Sequence, residues 1–122
     1  MKLKITGIKP KGDERGEAVW LAVERDCDLS DYMIADSTYD AEGASNLHRH
    51  TYWFPERAAK KGDRVVLYTK TGKNGVSTTT LGAPLHKFFW NLEVAVWNDE
   101  GDGAVLIEIA DVQTFAVKPV KA

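Results

Sequence analysis

The sequence predicts an all-β domain, and three observations carry that expectation. Apolar and polar residues alternate with a period of two in several short runs, as in half-buried strands. Clusters of glycine, proline, asparagine and aspartate separate those runs at close intervals. No stretch of ten or more residues repeats its apolar positions with a helical period. Many short strands between frequent turns make a sandwich or a barrel.

The first run, residues 2–9, sets Lys2, Lys4 and Thr6 against Leu3, Ile5 and Gly7. Pro10 has no amide hydrogen for a ladder and ends it. Residues 11–16 read as a loop. Residues 17–24 form a second strand, with Val19, Leu21 and Val23 on one face and Trp20, Ala22 and Glu24 on the other. Both faces carry apolar residues, so something must cover part of the second. Residues 25–31 are a charged loop with one apolar plug, Leu29, before a short strand of Tyr32, Met33, Ile34 and Ala35. Residues 36–46 are polar and turn-rich, and residues 48–54 alternate again up to Pro55. Arg57, Ala58, Ala59 and Lys60 favour one helical turn, and Gly62-Asp63 marks a chain reversal. Residues 64–69 are a strand, and residues 71–84 read as a long loop.

The stretch 86–107 organises the rest. Val94, Ala95, Val96 and Trp97 suit a pleated, buried surface. Asn98-Asp99-Glu100-Gly101-Asp102 supplies turn residues, and Ala104-Val105-Leu106-Ile107 resumes the strand. The expectation is a hairpin with Trp97 and Leu106 packing across the core from paired strands. Residues 112–117 form a last strand, with Gln113 and Lys118 toward water, before Pro119. On residues 104–109 both faces are apolar, so one needs a cover: the N-terminal strand, the segment around Val112, or another protein.

At 122 residues the chain is expected to be one domain, 1–122, and to bury its core without staples. A composition 43% hydrophobic and 28% charged lies far from the disordered class. A net charge of -2 argues against bulk attraction to DNA or anionic membranes, while leaving room for a local basic face. Cys27 is the single cysteine, so no internal disulfide forms, and a lone thiol is most often a small buried apolar group. No apolar run reaches signal-peptide or membrane-span length. The expected location is the cytoplasm; a secreted protein whose leader had been removed would look the same.

A set of segments in fixed order adds a family. Glu17-Ala18-Val19-Trp20-Leu21 is followed by the corner Asp28-Leu29-Ser30-Asp31-Tyr32, then Ile34-Ala35-Asp36 and Tyr52-Trp53-Phe54-Pro55. Gly62-Asp63-Arg64-Val65-Val66-Leu67-Tyr68-Thr69 and Val96-Trp97-Asn98-Asp99-Glu100-Gly101-Asp102-Gly103-Ala104-Val105-Leu106 complete it. Over about residues 15–110 this set resembles the lamin tail domain family, and its last segment is similar to the hairpin of bacterial members. Asp31 and Tyr32 depart from that family's corner glycine and tryptophan, and Gly103 stands where threonine is common. The resemblance implies an immunoglobulin-like β-sandwich of about seven to nine short strands. It also implies a non-catalytic module that contacts proteins, nucleic acid or envelope components, and it carries over no catalytic residue. The expected interior is Val19, Leu21, Leu29, Ile34, Phe54, Leu67, Val96, Trp97 and Leu106. At the corner, Leu29 would plug the sandwich, Ser30 or Asp31 would accept turn amides, and Tyr32 would bury its ring with its hydroxyl on a polar partner.

Four chemistries compete with ordinary surface roles. His48 and His50 share a strand face and with His86 could offer three nitrogens to zinc, but solvent-facing histidines near a strand start are the commoner case. Asp26, Asp28 and Asp31, or Asp99 and Asp102, could offer oxygens to calcium, yet neither loop has an EF-hand pattern. Lys2, Lys4, Lys9 and Lys11 cluster near the start, and Arg57, Lys60, Lys61 and Arg64 around a loop. Lys70, Lys73 and Lys87 could share an end of the sandwich with Trp90, holding phosphates and stacking bases. No nucleophile elbow, phosphate loop or CxxC occurs, so an enzyme is not expected, nor a metal or cofactor. The leading expectation is a non-catalytic module for a protein partner or for self-association, with Trp53, Trp90, His48, His50 and Lys87 as contact residues. A nucleic-acid module using the basic loops is the alternative, and no small-molecule substrate is inferred.

Overall fold

A computed structural model of the chain describes residues 1–9, 16–40, 43–44, 50–92, 96–97 and 102–117. Eleven strands lie among them: β1 (Leu3–Lys9), β2 (Ala18–Val23), β3 (Cys27–Asp28), β4 (Tyr32–Asp40), β5 (Gly43–Ala44), β6 (Thr51–Trp53), β7 (Ala58–Ala59), β8 (Arg64–Tyr68), β9 (Gly75–Thr78), β10 (Pro84–Phe89) and β11 (Asp102–Glu108). The one helical piece among the described residues is a 3-10 turn, Leu29–Asp31. The chain is therefore all-β. Three of the strands are only two residues long, and the other eight match the expected number.

Two sheets enclose the core. The larger has five strands in the order β1-β2-β8-β10-β9, and the smaller runs β11-β4-β5 with β6 also on β4. Leu3, Val19, Leu21, Val23, Val65, Leu67 and Phe88 from the first sheet meet Tyr32 and Ile34 from the second. Leu29, Phe54, Ala59, Val96 and Trp97 complete that cluster, while Leu106 is partly buried against it. This is a β-sandwich, and eight of the nine expected interior residues are fully within it.

The first strand departs from simple alternation. Its pairing with β2 shifts between Ile5 and Gly7, so Gly7 lies opposite Trp20, Ile8 opposite Val19 and Lys9 opposite Ala18. One extra residue on the bulged strand exchanges the faces beyond it. Ile5 and Ile8 both pack on the core, and Gly7 falls on the outward face with Lys4.

Four expectations need correction. Residues 56–62 hold no helical turn: Ala58–Ala59 is a strand paired with Cys27–Asp28. The Arg57 amide donates to Asp28 Oδ1 and the Leu29 amide to the Arg57 carbonyl, partners that an isolated turn would leave unmet. Residues 71–84 are not one loop, because Gly75–Thr78 is an edge strand and Pro84 opens β10. β10 runs parallel to β8 and antiparallel to β9, so its pairing is set by distant chain. Trp97 does not lie in a strand paired with Leu106: β11 pairs with β4, from Asp102 opposite Thr38 to Glu108 opposite Tyr32. Val96 and Trp97 lie in a bend, and Leu106 faces Ile34; Val94, Ala95 and residues 98–101 lie outside the described residues. Residues 112–117 form no strand and are exposed, Phe115 at 93% and Val117 at 94%, so they do not cover β11. Lys118 and Pro119 lie outside the described residues.

Candidate functional site

Strand parity gives each strand of the five-stranded sheet a core side and an outward side. The pairing registers align the outward residues in rows. Lys4, Ala22, Arg64, Leu85 and Ser77 form one; Gly7, Trp20, Val66, Lys87 and Gly75 the next; Lys9, Ala18, Tyr68 and Phe89 the third. None of these five strands contains an aspartate or glutamate, and Lys4, Lys9, Arg64 and Lys87 are their only lysines and arginines. The bulge in β1 matters here: Lys9 is five positions after Lys4, and only the register shift turns both outward.

Aromatic side chains lie between the cations. Trp20 meets Tyr68 edge to face at 6.5 Å, and Tyr68 stacks on Phe89 at 5.1 Å and 22°. The Lys70 ammonium sits 5.1 Å from the centre of the Tyr68 ring. Ala18 and Val66 are fully buried although they point outward, lying beside these rings and the half-buried stem of Lys87. A Cβ at Gly72 would come within 2.4 Å of the Phe89 ring, so only glycine lets that ring lie where it does.

A cavity of about 420 Å³ opens on this face, lined by Thr6, Gly7, Lys9, Trp20, Leu21, Arg64 and Thr79. It joins two cations, two hydroxyls and one large ring, with no carboxylate. The Thr6 hydroxyl donates to the Trp20 carbonyl at 3.0 Å, fixing the bulge against β2. Thr79 is held by the turn into β10, where the Ala83 amide donates to its hydroxyl at 3.0 Å. A second cavity, about 370 Å³, lies where Leu3 and Ile5 of β1 approach Leu106 of β11.

Of the expected contact residues, Lys87 stands on the outward face, with one strand between it and Trp20. Trp90 does not join it. The Trp90 ring turns inward onto Tyr52 and Trp97 at 6.0 and 6.2 Å, and His50 meets its edge at 6.3 Å. Lys87 and Trp90 point to opposite sides of the sheet. His50 is half-buried rather than solvent-facing: its Nδ1 lies 2.9 Å from Asp36 Oδ2 and its amide donates to Asp36 Oδ1. Trp53 is 49% exposed, and its indole N–H donates to the Ser30 carbonyl at 2.7 Å. His48 lies outside the described residues. Trp20, Tyr68, Phe89, Lys4, Lys9 and Arg64 were missed as a group. The available signal was a set of strands without acidic residues.

Several other polar groups are bonded within the fold. Glu17 is fully buried, and its carboxylate accepts from the Val96 amide at 2.6 Å, the Trp97 amide at 3.2 Å and the Thr69 hydroxyl at 2.8 Å. His86 Nε2 lies 2.8 Å from Asp63 Oδ2, which also accepts the Lys60 amide. His86 Nδ1 and the Trp97 indole N–H are buried without hydrogen-bond partners among the described residues. At the corner Asp28, not Ser30 or Asp31, accepts the turn amide, taking the Ser30 amide at 2.9 Å and hydroxyl at 2.8 Å. Those bonds hold its carboxyl below the ordinary range. Asp26 accepts the Lys61 amide. The Tyr32 hydroxyl donates to Glu108 Oε2 at 2.6 Å, and burial first, then that bond, pushes its pKa up to about 12. Cys27 packs against the core, and burial raises its thiol pKa. Among the described residues no three histidine, cysteine or acidic side chains gather as a metal would need. Nor is any helix there long and apolar enough to cross a membrane.

No protein-family model matches the chain, and no curated protein matches it.

Proposed function

We propose that the chain is a non-catalytic binding module whose working surface is the outward face of the five-stranded sheet. One observation carries this: Lys4, Lys9, Arg64 and Lys87 surround Trp20 on strands that hold no carboxylate. An anionic polymer would meet a cationic surface there although the whole chain carries a net charge of -2. Salt limits each charge to a reach of about 8 Å, so the local face outweighs distant acidic loops. The non-catalytic part is supported by the commitments of the acid–base groups: His50 to Asp36, His86 to Asp63, and Glu17 to main-chain amides. An immunoglobulin-like sandwich of the lamin tail type belongs to the same proposal, supported by the ordered segments between Glu17 and Leu106.

A protein partner is the second reading, and the opposite face favours it. On the outer side of the four-stranded sheet Ile107 pairs with Met33 and Met33 with Trp53, an uncharged apolar row ending in the exposed indole. The test is retention on immobilised heparin at physiological ionic strength. We expect retention by the unaltered chain, loss with Lys9→Glu plus Arg64→Glu, and no change with Trp53→Ala. Flow-through of the unaltered chain would overturn the cationic-face proposal.

A further inference from the structure

We infer that the cavity at Trp20 seats one nucleotide of a single-stranded nucleic acid, the base on the indole and a phosphate to either side. This rests on the outward-face proposal and names its occupant. Along β2, Lys9 lies beside Ala18 and Arg64 beside Ala22, two residues before and two after Trp20. Two residues of strand span about 7 Å, so one cation flanks the ring on each side along the strand. Both cations line the cavity with Trp20, as do Thr6 and Thr79. A volume of about 420 Å³ falls in the range of small-molecule seats.

The chemistry selects among polyanions. A purely electrostatic ligand needs the lysines and the arginine but has no use for the ring. An acidic peptide satisfies the charges and offers the indole no flat partner by default. A nucleotide unit brings a π-face and flanking phosphates in every repeat, and stacking of bases on aromatic side chains with basic neighbours is how sequence-tolerant single-strand binders work. A duplex keeps its base faces stacked inside, where the indole could not reach them. Tyr68 and Phe89 are less open to a base. Their rings stack on each other, with Gly72 close against Phe89 and the Lys70 ammonium over Tyr68. They brace the platform, and Lys87 extends the cationic track across Val66 toward β9.

The test compares three probes on the intact chain by fluorescence anisotropy: a labelled thymidine oligonucleotide, an abasic phosphodiester of the same length, and heparin. The base-bearing strand is expected to bind roughly tenfold tighter than the abasic one, the effect of about one stacked base. Its log affinity should fall with log salt at a slope of about -3, for four phosphates on a single strand. Trp20→Phe should keep the preference for bases, and Trp20→Leu should remove it while leaving abasic binding in place. If Trp20→Leu does not fold, the base-bearing against abasic comparison on the unaltered chain still decides. Equal binding of the two strands, or tighter binding of a duplex, would overturn the nucleotide seat and leave the cationic face standing. Failure of all three probes to bind would remove both.

Discussion

Glu17 illustrates what one buried side chain does for the packing around it. The bend at Val96 and Trp97 presents amides with no ladder partner recorded among the described residues, and the Glu17 carboxylate takes both while Thr69 donates from the side. A hydrogen bond to a charged group contributes about 1.5–3 kcal/mol, and an orphaned buried donor costs a similar amount. Glu17→Ala is therefore expected to lose about 3 kcal/mol or more in urea unfolding, with a change in near-ultraviolet dichroism as Trp97 loosens. Tyr32 sets a limit at the other end of the pH scale. Its folded pKa, about 12, lies above the ordinary value near 10, so the neutral phenol is the form the fold favours. That stabilisation is complete below pH about 10 and is lost as pH rises toward about 12. Stability measured across this window should fall, and the fall should shrink in Tyr32→Phe. The Cys27 thiol has its pKa raised by burial, so its reaction with a disulfide reagent at neutral pH should be slower than that of a free cysteine.

Among the elements, the β8–β10 pair does most to build the outward face. Parallel pairing places Phe89 beside Tyr68 and Lys87 beside Val66, and Gly72 provides the clearance for the Phe89 ring. Gly72→Ala would put a methyl group inside that ring's space; overpacking costs typically about 1–3 kcal/mol. A drop of that size in unfolding free energy, with disturbed Tyr68–Phe89 stacking by NMR ring-current shifts, is the expected outcome. Elements differed in how far their residues announced them. The core sides of β2 and of the first half of β1 follow from alternation, because those residues record which side is dry. β9 and β10 do not, since Gly75, Ser77 and Pro84 are turn residues locally and become strand only through pairing. β11 pairs with β4 some seventy residues upstream, a choice that no local pattern encodes. Residues 112–117 show the converse: the strand pattern is present, and no described strand pairs with it.

Over the whole molecule, the interior was more legible than the surface. Burial follows from hydrophobicity and parity, and Val19, Leu21, Leu29, Ile34, Phe54 and Leu67 could be named from those alone. The candidate site could not, because it joins β1, β2 and β8 with the turn at Thr79, and its cations align only through a bulge. Trp20 was visible as an outward tryptophan on a strand with two apolar faces; what surrounds it was not. Charge reversal tests the arrangement at this scale. Lys9→Glu with Arg64→Glu lies away from the core, so the melting temperature should change little. The unaltered chain should be held by a cation exchanger near neutral pH in spite of its net charge of -2, and the double variant should pass through.

The row Ile107, Met33 and Trp53 stands on the side of the sandwich opposite those cations. A molecule lying on a polyanion through its charged side would turn this greasy side toward water. As successive molecules coat the polymer, their uncharged backs would crowd together while the lysines and Arg64 neutralise the charge that keeps it dispersed. Turbidity should therefore climb steeply near charge balance and clear on addition of salt, and replacing Trp53 and Ile107 by serine should keep the coated polymer in solution.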